Sequence, residues 1–396
     1  MSTPKVILKP KRALPFFARH PWVFAGAIDR IEGEPSDGDE VDLYSSGNNF
    51  VARGLFNSQS KIHVRLYSWE PGVALDAAFF QERIGRAIEL RHHVLNLAGP
   101  DRGYRIVFSE ADFLSGMVVD RYGDWLAVQF TALGLARHRD TIAAVLRELL
   151  APRGIYLRTE KGIGKLEGIE LHDGPLWGEP PPPGLTIEEH GLRFLVNLAE
   201  GQKTGYYLDQ RDNRAAVARL SPGKRVLDAF CYTGGFGIYA AKAGASEVLG
   251  LDASEAALEL ARQNAVANGL NNITFESADV FRKLADLAAA GRKFDLLVLD
   301  PPKFARNRAA LPEAMKGYRR LHQLAMKLLD RDGVLVSCCC TGLIAMADLE
   351  DVIAQVAVEA RRDLQILERR GPSPDHPVAI SCRESGYLKC LISRVW

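Results

Sequence analysis

Apolar positions recur along the chain in three different rhythms. Up to about residue 70 they come as short runs at 41–44, 50–55 and 62–67, broken by the turn formers Asp37-Gly38-Asp39 and Ser46-Gly47-Asn48-Asn49. Such spacing predicts small β structure with tight connections, and a compact barrel is the expected result. Glu70-Pro71-Gly72 then reads as a linker. From 73 to 195 the rhythm is mixed. Residues 78–95 carry Phe79, Phe80, Ile84, Ala87, Ile88 and Leu90 at helical spacing, 118–128 read as a hairpin turning near Gly123, and 141–150 look helical again. Four consecutive prolines, Pro180 to Pro183, exclude helix and central strand and make 179–184 a stiff connector.

From about 196 onward β and α patterns alternate. Strand-like runs fall at 225–228, 247–252, 273–276, 294–300 and 333–338, with helical spacing at 254–268 and 318–329 between them. Alternation of this kind argues for an α/β fold with a parallel sheet covered on both faces, and such sheets bind ligands at the carboxyl ends of their strands. The expected organisation is therefore a small β-barrel over 1–70, a central α/β domain over 73–195 and a Rossmann-like domain over 196–396.

The 396 residues are 47% hydrophobic and 25% charged, enough apolar material for a core without disulfide or metal staples. Net charge is +1, so no global field draws nucleic acid, and phosphate contacts must come from local patches. One patch opens the chain, where Lys5, Lys9, Lys11, Arg12, Arg19 and Arg30 face only Asp29; a solvated arm fits the same stretch equally well. The cysteines (Cys231, Cys338, Cys339, Cys340, Cys382 and Cys390) form no C-x-x-C pair, so no metal site is expected, and reduced thiols in a cytoplasmic protein are. Pro4, Pro10 and Pro15 interrupt any signal-peptide core, and no apolar run approaches the ~20 residues of a membrane span. Small edge strands leave room for a homodimer without specifying one.

The densest chemistry begins at Val226-Leu227-Asp228-Ala229-Phe230-Cys231-Tyr232-Thr233-Gly234-Gly235-Phe236-Gly237. An apolar strand ends in an acid and runs into a glycine-rich turn that opens a helix. As a dinucleotide fingerprint it fails, because G-x-G-x-x-G follows its strand directly and a carboxylate would repel a pyrophosphate. The acid suits a cationic methionine moiety instead, with Phe230, Thr233 and Gly234 in the turn around it. Asp252 closes the next strand ahead of Ala253-Ser254, where a carboxylate can accept both hydroxyls of a ribose. Asp279, followed by Val280, comes after the third strand and can accept from an adenine amino group. Any one of these acids would ordinarily be a cap or turn residue. Three at successive strand ends behind a glycine-rich turn point to S-adenosylmethionine (SAM), with Asp228, Phe230, Thr233, Gly234, Asp252, Ser254, Asp279 and Val280 as the binding set.

The fourth strand ends Leu299-Asp300-Pro301-Pro302-Lys303-Phe304. Two prolines fix φ and make a rigid turn that holds Asp300 outward. Beside a cofactor pocket, Asp300, Pro301, Lys303 and Phe304 can grip the polar edge of an extruded base. The fifth strand ends Val336-Ser337-Cys338-Cys339-Cys340-Thr341-Gly342. Alternation puts Cys338 and Cys340 on one face and Cys339 on the other; buried cysteine is usually inert, which is the reading for Cys338 and Cys339. Cys340, at the strand's carboxyl end, is either core packing or a nucleophile. Carbon 5 of a pyrimidine attacks a methyl sulfonium only after activation. A thiolate adding to C6 makes an enamine reactive at C5, and it departs once a base has taken the C5 proton.

Together these residues resemble the bacterial large-subunit ribosomal RNA cytosine-C5 methyltransferases that carry an N-terminal PUA domain. The resemblance spans essentially the whole chain, through His20-Pro21-Trp22-Val23-Phe24, Glu110-Ala111-Asp112-Phe113-Leu114-Ser115-Gly116, Val119-Asp120-Arg121-Tyr122, Lys203-Thr204-Gly205-Tyr206-Tyr207-Leu208-Asp209-Gln210-Arg211, the Asp300–Pro301–Pro302 loop, Cys340-Thr341-Gly342-Leu343 and Asp375-His376-Pro377. It implies a PUA barrel for RNA, a central α/β domain and a Rossmann-like SAM-dependent domain. It further implies methyl transfer to cytosine C5 of 23S ribosomal RNA through a covalent Cys340–C6 adduct. By motif position Asp300 would face the target cytosine, and Lys203, Tyr207 and Arg211 would line the cofactor or RNA entrance. Family members usually have a small polar residue before the catalytic cysteine, where this chain has Cys339. For the base that takes the C5 proton, Asp300, an ordered water and His376 are the candidates. Two other readings compete: an exocyclic-amine methyltransferase that works through Asp300-Pro301-Pro302 and a stacking Phe304, with Cys340 structural, and an RNA-binding assembly factor without turnover.

Overall fold

The structure, a computed structural model, describes residues 3–160, 162–201, 204–305 and 307–396. Contacts divide the chain into two compact units. The first is Met1–Ile187 with Val196–Leu208 and Pro374–Ser385; the second is Glu188–Leu195, Asp209–Ser373 and Gly386–Trp396. No helix among the described residues is long and apolar enough to cross a membrane.

The first unit holds a six-stranded sheet in the order Trp22–Phe24, Ile62–Ser68, Phe50–Phe56, Glu40–Tyr44, Lys5–Leu8, Ile28–Glu32. Val6, Leu8, Val41, Leu43, Val64 and Leu66 alternate into a core of its own. The basic stretch at the start supplies three strands of this sheet, with Lys9, Lys11, Arg12 and Arg19 in the connection between the first two, and is not a solvated arm, because its apolar residues, Val6, Leu8 and Val23 among them, are buried in that core. A second sheet runs Gly174–Gly178, Gly154–Arg158, Trp125–Phe130, Met117–Tyr122, Gly103–Phe108, and includes the expected hairpin, which turns at Gly123 with φ +58°.

The helix expected over 78–95 is α-helical only over Ala77–Glu89 and ends in a π-turn at Leu90–Val94. Arg91 sits in that turn, fully buried. Its guanidinium donates to both Asp112 oxygens, at 2.6 and 2.8 Å, and to the carbonyls of Ala87, Arg105 and Asp375. That accounts for all five N–H groups of an arginine.

The second unit is built on a seven-stranded sheet in the order Ile273–Ser277, Glu247–Asp252, Arg225–Ala229, Phe294–Leu299, Leu329–Cys339, Lys389–Val395, Leu364–Arg370. The first five pair in parallel, and Lys389–Val395 is antiparallel to both of its neighbours. Helices Gly235–Lys242, Glu255–Ala267, Val280–Ala289, Leu311–Leu328 and Met346–Glu359 connect the strands. Alternate residues of the same strands feed two separate cores: Leu227, Leu297, Leu335 and Cys339 enter one, and Val226, Val298, Val336 and Cys338 the other. This is how a sheet covered on both faces produces nearly continuous apolar strands. Leu364–Arg370 and Lys389–Val395 were not anticipated, and the helix expected at 318–329 begins earlier, at Leu311.

Candidate active site

Strand Arg225–Ala229 has parallel neighbours on both sides, so its carboxyl end opens onto loop 230–234 in the middle of the sheet. The loop reverses sharply, with positive φ at Phe230 (65°), Tyr232 (50°) and Gly234 (81°). Two of these are non-glycine residues in a sparsely populated region, a strain that clusters at functional sites. At Gly234 a Cβ would also meet the Phe275 ring at 2.9 Å, so only glycine serves. Asp228 is 1% exposed. Its Oδ2 accepts from the Gly237 N–H at 2.8 Å, and a Cβ on Gly237 would crowd that oxygen at 3.2 Å. Asp228 Oδ1 and Thr233 Oγ1 are both buried without a hydrogen-bond partner among the described residues. Burial, with the charges of Asp300 and Asp252, pushes the Asp228 carboxyl up to about 7, against the pull of the Gly237 hydrogen bond and Arg214. Unsatisfied buried polar atoms are rare, and this pair is what a cationic, polar ligand would complete.

Asp252 folds back on the same loop: Oδ2 accepts from the Tyr232 N–H and Oδ1 from the Ser254 N–H, each at 2.9 Å. A carboxylate offers about four lone-pair sites, so two bonds leave capacity for a diol. Ser254 and Asp279 are both helix caps. Ser254 Oγ accepts from the Ala257 N–H at 3.3 Å at the start of Glu255–Ala267, and Asp279 Oδ1 from the Arg282 N–H at 2.9 Å at the start of Val280–Ala289. Asp279 is exposed and Val280 buried.

Asp300 follows the fourth strand, and its Oδ2 accepts from Gln210 Nε2 at 3.0 Å. The Gln210 amide is itself oriented, since Oε1 accepts from Asn213 Nδ2 at 2.6 Å and Asn213 Oδ1 accepts from Arg370 Nε at 2.9 Å. This chain, buried at Gln210 and Asn213, has as its only signal in the sequence the position of Gln210 inside the polar run Asp209-Gln210-Arg211. Pro301 is buried, Lys303 exposed and Phe304 half-buried. The rings of Phe230, Phe281, Phe304 and Tyr318 follow one another at centroid distances of 6.1, 6.2 and 4.8 Å.

Cys340 is half-buried, and its Sγ lies 3.9 Å from the Pro301 carbonyl oxygen. The end of the fifth strand and the Asp300 loop therefore meet. Cys338 and Cys339 point into opposite cores. Lys389, unremarked in the sequence, faces Cys339 in the antiparallel register and is 7% exposed. Its ammonium donates to the carbonyls of Thr341 at 2.9 Å and Tyr387 at 3.0 Å.

Of the three residues expected at the entrance, Lys203 lies outside the described residues. Tyr207 is half-buried in the first unit. Arg211, buried in the second, has Nε 3.3 Å from Asp212. His376 is buried in the first unit, with Nδ1 3.2 Å from Asp375 and its ring 5.2 Å from Phe108. One trio with metal-ligand chemistry, His20, Cys382 and Glu384, also lies in the first unit. There His20 Nδ1 accepts from the Trp22 N–H at 3.3 Å. The neutral ring must then carry its proton on Nε2, the atom facing Glu384 at 3.7 Å, which removes the lone pair a metal needs.

Residues 175–394 match the family described as S-adenosylmethionine-dependent methyltransferase, and residues 6–69 match the PUA-like domain. The chain belongs to this methyltransferase family. The ribosomal RNA large subunit methyltransferase I of Aeromonas hydrophila is 42% identical to it over 95% of both chains. The protein of that name in Escherichia coli O127:H6 is 39% identical over 99% of both. Among solved structures, a SAM-dependent methyltransferase from Streptococcus mutans superposes with TM-score 0.85 at 21% identity, over 98% of this chain and 99% of that one. A methyltransferase solved with S-adenosylhomocysteine gives 0.86 at 22% identity, again over 98% and 99%. The protein is thus a SAM-dependent enzyme with a PUA-like domain ahead of its catalytic fold, and the unsatisfied Asp228 and Thr233 atoms are ones that a cationic, polar group such as SAM carries would fit.

Proposed function

We propose that this methyltransferase acts on 23S ribosomal RNA and methylates C5 of a cytosine, with residues 1–70 and 73–195 presenting the RNA and 196–396 performing the transfer. The names of the relatives support the substrate class, and the cytoplasm, where ribosomes are made, is the matching compartment. The observation that carries the reaction type is the approach of Cys340 Sγ to the Pro301 carbonyl, at 3.9 Å. It puts a thiol at the same corner as the Asp300 loop, and an exocyclic-amine enzyme needs only the loop.

When bound, SAM supplies an electrophilic methyl group. Asp228 and Thr233, in the turn with Phe230 and Gly234, hold the methionine end, Asp252 the ribose hydroxyls, and Asp279 with Val280 and Ser254 the adenine side. Asp300, kept oriented by Gln210, accepts from the polar edge of the cytosine, with Pro301, Lys303 and Phe304 shaping its slot. The Cys340 thiolate adds to C6, and the displaced π electrons make C5 nucleophilic. After C5 has taken the methyl, its proton leaves to Asp300 or to a water held there. The electron pair restores the C5–C6 double bond, and the thiolate is expelled.

Purified protein incubated with labelled SAM and unmodified 23S ribosomal RNA tests this reading. Wild type should place the label on cytosine C5, and Cys340→Ala should lose about 1,000-fold or more in rate, as removal of a covalent nucleophile does. Label on an exocyclic amine, or full activity in Cys340→Ala, would overturn it.

A further inference from the structure

Where helix Leu311–Leu328 packs on helix Val280–Ala289, several groups have no part in the reaction as just derived. The row of rings that begins at Phe230 passes through Phe281 before it reaches Phe304 of the cytosine slot, 6.2 Å further on. Phe281 and Phe304 are both half-buried. Over the Phe281 ring lies the guanidinium of Arg320, 5.2 Å from the ring centroid. Arg320 is exposed and bonds to no carboxylate among the described residues. Its neighbour Arg319 is placed otherwise, held by Glu359 and by Gln355 Oε1 at 3.1 Å. One of two adjacent arginines thus closes an ion pair between helices, and the other covers an aromatic ring with its donors unspent. Three more cations repeat that pattern. Arg282 is next to Phe281, Lys303 is next to Phe304, and Arg308 stands in the short turn Arg308–Ala310 that leads into Leu311–Leu328. All three are exposed, and none bonds to a carboxylate among the described residues. Nearby Glu276 and Glu313 are taken by Lys283 at 2.5 Å and Lys316 at 2.7 Å. Asp279 and Asp286, both exposed, are the acids on this side that oppose the four cations.

We propose that Arg320 and Phe281 form a platform for an unpaired nucleotide flanking the target cytosine: its base stacks on the pair, and Arg282, Lys303 and Arg308 take the neighbouring phosphates. The inference rests on the reading that the cytosine enters beside the Asp300 loop, because Phe304 belongs both to that slot and to the row of rings. A base drawn out of its stack leaves its neighbours with an uncovered face. Arginine planes and aromatic rings are the surfaces on which proteins restack such bases, and they do so with little regard to sequence, since every base has a π-face. Phosphate adds the need for cations that no carboxylate has already neutralised. A chain with a net charge of +1 has no global field to supply them, so an unpaired local set is required. An exposed cation–π contact stabilises the fold only slightly, which leaves Arg320 available to a ligand.

The test measures equilibrium binding of an unmodified 23S ribosomal RNA transcript to the full-length protein, beside steady-state methylation of the same transcript. Arg320→Ala should weaken binding and raise KM for RNA about tenfold, the worth of one stacked base, while kcat changes by less than about twofold. Arg320→Lys keeps the charge but not the planar surface, and should stay within about threefold of the Ala variant. Arg282→Ala should reduce the slope of log K against log salt by about 0.7, as loss of one single-strand phosphate contact does. Arg319→Ala removes the same charge one residue away and should bind RNA as wild type does. Calorimetric SAM binding should be unchanged throughout, which also reports that the catalytic unit is folded. Wild-type RNA affinity in folded Arg320→Ala, or an equal loss in Arg319→Ala, overturns the platform. If wild type binds the transcript but leaves its cytosines unlabelled, the reading of the reaction is what fails, and the comparison of Arg320 with Arg319 in binding still decides the platform.

Discussion

Two buried charges in this chain are treated in opposite ways. In the first unit, Arg91 spends every N–H it has on Asp112 and three carbonyls. In the second, Asp228 has one oxygen bonded to Gly237 and the other bonded to nothing among the described residues, and Thr233 Oγ1 in the same loop is equally alone. Both regions depart from regular backbone, one through a π-turn and the other through positive φ at Phe230 and Tyr232. The difference lies in what completes them. A fully satisfied buried ion belongs to the architecture, whereas a half-satisfied one, raised to about 7 chiefly by burial, keeps an oxygen for the counter-charge that the proposed function assigns to SAM.

Removing the partner in the satisfied region should cost most. Asp112→Ala leaves Arg91 charged, buried and unpaired, and urea unfolding should register a loss of about 3–5 kcal/mol with SAM affinity unchanged. If SAM binding fell with it, the contrast between the two regions would collapse.

Asp228→Asn should do the reverse. SAM affinity measured by calorimetry should drop about 10- to 100-fold, or roughly 1.4–2.7 kcal/mol, with S-adenosylhomocysteine, which lacks the cationic sulfur, affected less. Stability of the free protein should not fall. The sign with pH follows from the raised pKa. Asp228's own contribution to folding is complete below its unfolded value of 3.8 and is lost as pH rises through about 7. SAM affinity should therefore climb as pH rises through about 7 and then level off, and the Asn variant should be flat across that range. A wild-type affinity that ignores pH would mean the cation does not sit on Asp228.

The smallest effect is expected at Gln210. Gln210→Leu breaks the chain from Arg370 through Asn213 to Asp300 but leaves the carboxylate in place. Turnover should fall about three- to tenfold, the worth of roughly one hydrogen bond, with SAM affinity constant. An unchanged turnover number would show that Asp300 needs no orienting.

How much of this was legible beforehand depended on sequence distance. Asp228, Asp252 and Asp300 each close an apolar run and Asp279 follows the third strand, so local pattern alone put them at or just past strand ends, and the sheet order then gathered them. The same local reading takes such acids one at a time as caps, and for Asp279, as for Ser254, the cap is present in the structure as well. Gln210 and Lys389 were invisible because their meaning comes from partners 90 and 48 residues away, Asp300 and Thr341. The strand Lys389–Val395 was missed for the same reason. Its neighbours, Leu329–Cys339 and Leu364–Arg370, pair with it in an antiparallel register that no β–α alternation announces.

That strand also sets an order of events during synthesis. It is the last of the seven to leave the ribosome, yet it has neighbours on both sides in the sheet. The four strands that frame the glycine-rich turn, from Arg225–Ala229 to Phe294–Leu299, can pair while it is still inside the exit tunnel. The strands around the glycine-rich turn thus leave the ribosome before the one that pairs with Leu329–Cys339 and Leu364–Arg370.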